Sequence, residues 1–205
     1  MIAELAETRP NALALTDGAR SRSWSELHDR VTRWARLLRE RFGLAPDDHA
    51  ALLIGNRVEG VEGVLAAIHA GVWMTPINWH LTAEEIAYVV RDSTASVLFV
   101  DPAFAETARR ARAMALETDP HAALPTVVVL GDELERAIAG ASDSPMPLAG
   151  PAGGNMIYTS GTTGRPKGVM RRRAGTLGAA IAAQQAYATA RARTSSRARS
   201  TTPRR

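Results

Sequence analysis

Short apolar runs recur along this chain, and each is followed by a stretch with helical spacing. The runs are His49 to Ile54 (HAALLI), Val72 to Pro76, Val97 to Val100 (VLFV) and Thr126 to Leu130 (TVVVL). They lack the polar-apolar alternation of a strand with one wet face. A strand that is apolar throughout must be covered on both sides, and helices connecting parallel neighbours do that most simply. The intervening helices read from about Glu59 to Ala70, from Thr82 to about Arg91, through Glu117, and from Glu133 to Ala139. The expected class is α/β, a mostly parallel sheet with flanking helices.

Ahead of this region, Ala12 to Thr16 and Arg20 to Trp24 flank Asp17-Gly18, the pattern of a small hairpin. Ser23 and Glu26 have capping-box spacing, as do Thr82 and Glu85. The helix starting at Ser23 runs to about Phe42, with Leu27, Val31, Trp34 and Leu38 on one face. That face belongs to a core. Residues 140–154 are rich in Pro, Gly, Ala and Ser and read as a linker. Asn155 to Tyr158 (NMIY) reads as a further strand, and Thr176 to Tyr187 as a helix.

Charge divides the chain. The net charge is +4, yet residues 171–205 hold nine arginines and no acid. Residues 1–170 carry 16 basic and 21 acidic groups, a net of −5. There is no cysteine, which removes disulfides, thiolate metal sites and cysteine nucleophiles. The acidic start, with Glu4 and Glu7, is unlike a secretory signal, and no run approaches the ~20 apolar residues of a membrane span. The expectation is a cytoplasmic protein. His28, His49, His69, His80 and His121 show no metal-ligand spacing, and His69 reads as a core or edge histidine.

The 25 basic residues include a single lysine, Lys167. It lies in YTSGTTGRPKGV, Tyr158 to Val169. Glycines let a backbone turn sharply and approach a ligand, and turned N–H groups converge on anions. The hydroxyls of Thr159, Ser160, Thr162 and Thr163 add donors, and Lys167 adds a compact charge. The composition is that of a polyphosphate cradle over residues 158–169. It is not a Walker A loop: Arg165-Pro166 separates Gly164 from Lys167, and Gly168 stands where that motif needs Ser or Thr. Val169-Met170 reads as a strand rather than a first helical turn.

This segment resembles the phosphate-binding signature of the AMP-forming adenylating enzymes, which include acyl- and aryl-CoA ligases, luciferases and peptide-synthetase adenylation domains. SWSELHDRVTRWARLL resembles the family's first long helix, and residues 51–101 resemble its first βαβ region. The likeness covers about Pro10 to Met170, and the threonine pair of SGTTG leans toward CoA ligases. It implies a partial AMP-binding domain over residues 1–187. It also implies a two-step reaction: a carboxylate and ATP give an acyl-adenylate and pyrophosphate, then coenzyme A displaces AMP. ATP, Mg²⁺, coenzyme A and a fatty or aromatic carboxylic acid are the implied cofactors and partners. Carried over, Thr159, Ser160, Gly161, Thr162, Thr163, Gly164, Lys167 and Gly168 form the ATP phosphate site. No catalytic residue is assignable.

Family members are more than twice as long. Their later motifs supply the adenine site, a magnesium glutamate, the acyl pocket and a second lysine, and this sequence contains none of them. The expectation is an N-terminal part that is inactive alone. RRRAG after Met170 departs from the family pattern, and residues 188–205 have no apolar periodicity. This tail reads as disordered, either as translation past a frameshift or as a nucleic-acid-binding segment. The first is preferred, because the tail carries no aromatic to stack on bases. The alternative function is a non-catalytic fragment, or a binding protein that uses the basic tail.

Overall fold

A computed structural model describes residues 2–119, 124–159, 166–170 and 175–186. Helix α1 (Ile2–Thr8) is followed by a hairpin of β1 (Leu13–Thr16) and β2 (Ser21–Ser23), then by the long helix α2 (Trp24–Glu40). From there strands and helices alternate: β3 (His49–Leu53), α3 (Val58–Ala70), β4 (Trp73–Pro76), α4 (Ala83–Asp92), β5 (Val97–Val100), α5 (Ala105–Thr118), β6 (Thr126–Val129) and α6 (Asp132–Gly140). Strands β7 (Gly154–Thr159) and β8 (Lys167–Met170) follow, and helix α7 spans 177–186. The main sheet has the order β6-β5-β3-β4-β7-β8. All its neighbours are parallel except β7 and β8, which are antiparallel.

The direction of each crossover decides which face its helix covers. The steps β3 to β4 and β6 to β7 run one way along the sheet, and their helices α3 and α6 pack on one face. The steps β4 to β5 and β5 to β6 run the other way, and α4 and α5 pack on the opposite face. One hand therefore serves all four crossovers, as the handedness rule for parallel strands requires.

Two cores result, and the strands feed both by alternation. Ala50, Leu52, Val97 and Phe99 point toward α2, α3 and α6. Ala51, Leu53, Leu98 and Val100 point toward α4 and α5. Burial on both faces is why the β3 and β5 runs read as apolar throughout; β6, at the sheet edge, departs from the expectation, with Thr126 and Val129 exposed. Phe99 meets Trp34 and Phe42 in near-perpendicular pairs at ring-centroid distances of 5.3 and 5.6 Å.

Both capping boxes form, at Ser23/Glu26 and at Thr82/Glu85. An ion network ties the elements across the first face. Glu62 of α3 is fully buried and accepts from Arg22 Nε at 2.7 Å and Arg30 Nε at 2.9 Å. Arg30 then reaches both carboxylate oxygens of Glu135 on α6, at 2.7 and 3.0 Å.

Residues 141–153 form neither helix nor strand but are tied down. Arg33 donates to the Ala141 carbonyl, and Arg36 to those of Ser144 and Pro145. Among the described residues no helix is long and apolar enough to cross a membrane. The expected disorder of residues 188–205 concerns a stretch outside the described residues.

Candidate phosphate-binding hairpin

Strand β7 carries the chain to the carboxyl edge of the sheet, and β8 brings it back. Their register pairs Met156 with Met170, Ile157 with Val169, Tyr158 with Gly168, and Thr159 with Lys167. Side chains of directly opposed residues share a face. Thr159 and Lys167 therefore stand side by side at the open end of the hairpin, and both are exposed. Among the described residues no carboxylate forms an ion pair with the Lys167 ammonium. After the loop the chain returns as strand β8, not as the first helical turn of a Walker loop.

The opposite face of the hairpin packs on α4. Tyr158 Oη donates to Asp92 Oδ2 at 2.5 Å. Burial pushes the Tyr158 phenol up from its usual range, and the hydrogen bond and charge of Asp92 push it further, so the O–H is retained as a donor. Four residues earlier on the same helix, Tyr88 Oη donates to the Pro166 carbonyl at 3.1 Å. Gly168 lies under the Tyr158 ring. A Cβ there would sit 2.1 Å from Met156 Cε, 3.1 Å from Tyr158 Cζ and 3.2 Å from its Oη. The glycine of Pro-Lys-Gly thus has a packing reason of its own: a ring covers it.

Of the sequence-derived site residues, the structure brings Thr159, Lys167 and Gly168 together. Ser160, Gly161, Thr162, Thr163 and Gly164 lie outside the described residues. Tyr88 and Asp92 were not legible as site neighbours. Their spacing of four places them on one helix face, but nothing local shows that this face meets β7. Among the described residues no three His, Asp or Glu side chains converge as a metal site. Magnesium carried on phosphate oxygens and water needs few protein ligands, so an ATP phosphate site at the hairpin is compatible with this.

The same edge of the sheet holds a cleft of about 550 Å³ at the ends of β3 and β4, lined in part by Leu52, Ile54, Arg57, Val58 and Ile77. Arg57 pairs with Glu59 at 3.0 Å and with Asp101 at 3.1 Å. Its hydrogen bond to Glu59 raises the guanidinium further, against the opposing effect of burial. Burial alone would raise Glu59, yet its bonds to Arg57 hold it below the usual carboxylate range. These charges satisfy each other. In an open parallel sheet, ligands bind at the carboxyl ends of the strands, where connections leave to opposite faces. The hairpin mouth and the cleft both lie there.

His69 is half-buried on α3, beside a second cavity bordered by α1 and α7. Burial, with the nearby His28 and amino-terminal charges, lowers it to about 4.

Comparison with known proteins decides the family. The model of the AMP-binding enzymes matches residues 2–203. The chain belongs to this family. It is 30% identical over 168 residues to the fatty acid–[acyl-carrier-protein] ligase ScoC of Streptomyces coeruleorubidus, covering 80% of this chain and 31% of that protein. It is 36% identical over 174 residues to the phosphinothricin tripeptide synthetase PhsB of Streptomyces viridochromogenes, covering 83% of this chain and 14% of that one. The N-terminal domain of FACL13 from Mycobacterium tuberculosis, solved with an inhibitor, superposes with a TM-score of 0.71 at 26% identity. That superposition covers 83% of this chain and 42% of the solved one. The chain thus spans less than a third of the length of both curated relatives, 31% and 14%.

Proposed function

We propose that this chain carries the pyrophosphate-handling part of an AMP-forming acid–thiol ligase of the acyl-CoA synthetase type, with residues 1–187 as part of the AMP-binding domain. The whole reaction joins a fatty or aromatic carboxylic acid to coenzyme A at the expense of ATP. A carboxylate oxygen attacks the α-phosphorus, the bond to the bridging oxygen breaks, and pyrophosphate leaves. The thiol then displaces AMP from the acyl-adenylate. We place this chemistry in the cytoplasm, where ATP and coenzyme A are at hand.

The observation that carries the reading is the register of β7 and β8, which sets the chain's single lysine opposite Thr159 at the mouth of the signature hairpin. Lys167 would hold the β- and γ-phosphate oxygens as a point charge, and Thr159 would donate its hydroxyl beside it. Ser160, Gly161, Thr162, Thr163 and Gly164 would add hydroxyl and backbone donors between the two. Magnesium supplies further neutralisation of the leaving pyrophosphate. The charge that grows on pyrophosphate as the bond breaks is the charge these groups face, so they favour the transition state.

Calorimetric titration of the chain with Mg²⁺–ATP and with pyrophosphate tests this. Removing one charge-assisted contact costs about 1.5–3 kcal/mol, so Lys167→Ala is expected to weaken both ligands roughly ten- to a hundredfold. Lys167→Arg is expected to recover part of the loss, because a planar fork replaces a point charge. Equal affinities of the wild type and Lys167→Ala would overturn the proposal.

A further inference from the structure

Among the described residues, helix α4 holds the hairpin β7–β8 by hydrogen bonds at both ends of its loop. Asp92 accepts from Tyr158, the residue just before Thr159, at 2.5 Å. Tyr88 donates to the carbonyl of Pro166, the residue just before Lys167, at 3.1 Å. Tyr88 and Asp92 are separated by about one turn of α4, so both bonds come off one rigid face. The Tyr158 ring lies over Gly168, where a Cβ would crowd the ring at 3.1 Å. Helix α4 is itself anchored to the sheet, with Ile86 and Val89 almost fully buried and a capping box at its start.

These contacts have a consequence for the exposed face. Thr159 and Lys167 adjoin the two clamped residues, and a strand's successive side chains alternate between its faces. Fixing Tyr158 and Pro166 against α4 therefore fixes where the Thr159 hydroxyl and the Lys167 stem leave the backbone. Neither Tyr88 nor Asp92 is on the exposed face itself. We propose that α4 is the positioning element of the phosphate hairpin, with Tyr88 and Asp92 acting through Pro166 and Tyr158 to hold Lys167 and Thr159 opposite one another. This deepens the phosphate-binding reading above and rests on it for its link to function, while the clamp is observable without any ligand.

The clamp is read by amide hydrogen exchange of the full chain, comparing the wild type with Tyr88→Phe, Asp92→Ala and Tyr158→Phe. Each variant removes one hydrogen-bonding group; the two tyrosine changes nearly preserve shape, and Asp92 is exposed, so its truncation opens no core cavity. The amides of Thr159, Lys167 and Gly168 are expected to exchange on the order of fivefold to tenfold faster in each, the effect of losing one hydrogen bond. The β3–β5 rungs, such as Leu52 and Phe99, are expected to be unchanged. The double variant Asp92→Ala/Tyr158→Phe is expected to match either of its single variants, since both changes remove the same bond. Unchanged exchange at the hairpin, or equal acceleration in the β3–β5 rungs, would overturn the clamp.

Pyrophosphate titration then separates the two claims. A fivefold to tenfold loss of affinity in Tyr88→Phe, with Lys167 intact, supports the positioning role. Wild-type affinity in a variant whose hairpin exchanges faster overturns it. If the wild-type chain binds no pyrophosphate, the phosphate reading fails, and exchange alone decides the clamp.

Discussion

Removing the carboxylate of Glu62 should be among the most damaging single changes in this fold. Its side chain is fully buried and holds Arg22 at 2.7 Å and Arg30 at 2.9 Å, whose side chains are only 18% and 16% exposed. Glu62→Ala leaves both guanidinium groups without this counter-charge in a poorly hydrated place. Arg30 keeps its bonds to Glu135, so Arg22 is the group left worst off. Breaking one side of a buried ion pair costs about 3–5 kcal/mol, and the residual partner puts the expectation near the lower end, at about 3 kcal/mol. That is a large share of the ~5–15 kcal/mol that holds a typical domain together. Urea unfolding at neutral pH, followed by tryptophan fluorescence, reads the loss. Glu62→Met combined with Arg22→Met should recover part of it, because an apolar pair leaves no orphaned charge on Arg22. A loss below about 1 kcal/mol for Glu62→Ala would refute the reasoning, since it would mean that water already solvates both arginines.

Further expectations concern backbone fit and pH. A Cβ on Gly153 would lie 2.1 Å from the Val72 carbonyl oxygen and 2.3 Å from that of Ala67, both backbone atoms that cannot swing away. Gly153→Ala should therefore lower the melting temperature sharply or abolish soluble expression, and a wild-type melting curve would contradict this. Gly168→Ala meets the flexible end of Met156 and the Tyr158 ring, so it should cost less, about 1–3 kcal/mol, and should loosen the Tyr158–Asp92 bond in hydrogen exchange. His69 binds its proton at about 4 in the folded chain, against 6.5 for the free side chain. The unfolded state therefore holds more protons between those values. Stability should fall as pH drops from about 6.5 toward 4, by up to about 3 kcal/mol from this group. Glu4 and Glu7 border the same cavity. His69→Gln should flatten the decline in urea titrations near pH 5, and an unchanged slope would contradict the assignment.

The elements that local chemistry decides were legible in the sequence. Ser23/Glu26 and Thr82/Glu85 announce two helix starts, and both boxes form. The runs HAALL and VLFV carry no polar alternation because both their faces are covered. The apolar pair Val169-Met170 reads as a strand, and β8 contains both. What was not legible depends on residues far apart in the chain. Helix α1 went unread because its one buried residue, Ile2, is covered by Leu27 and Val31 from α2. Helix α3 begins at Val58, a residue earlier than its pattern suggests, because Asp17 of the first hairpin accepts from the Val58 amide at 3.2 Å. Glu62 looks like an ordinary helix carboxylate until Arg22 and Arg30 are folded over it. The α4 clamp joins Tyr88 to Pro166 and Asp92 to Tyr158, and no local spacing encodes contacts at such separations.

The central claim is that pyrophosphate oxygens are held at the mouth of the β7–β8 hairpin. Mapping amide chemical shifts and exchange protection during pyrophosphate titration tests it most directly. The account predicts that Thr159, Lys167 and Gly168 respond first and together, and that Lys167→Ala removes the response while leaving the rest of the spectrum intact. A footprint confined to the cleft around Arg57, or to the arginines of residues 171–205, would contradict it.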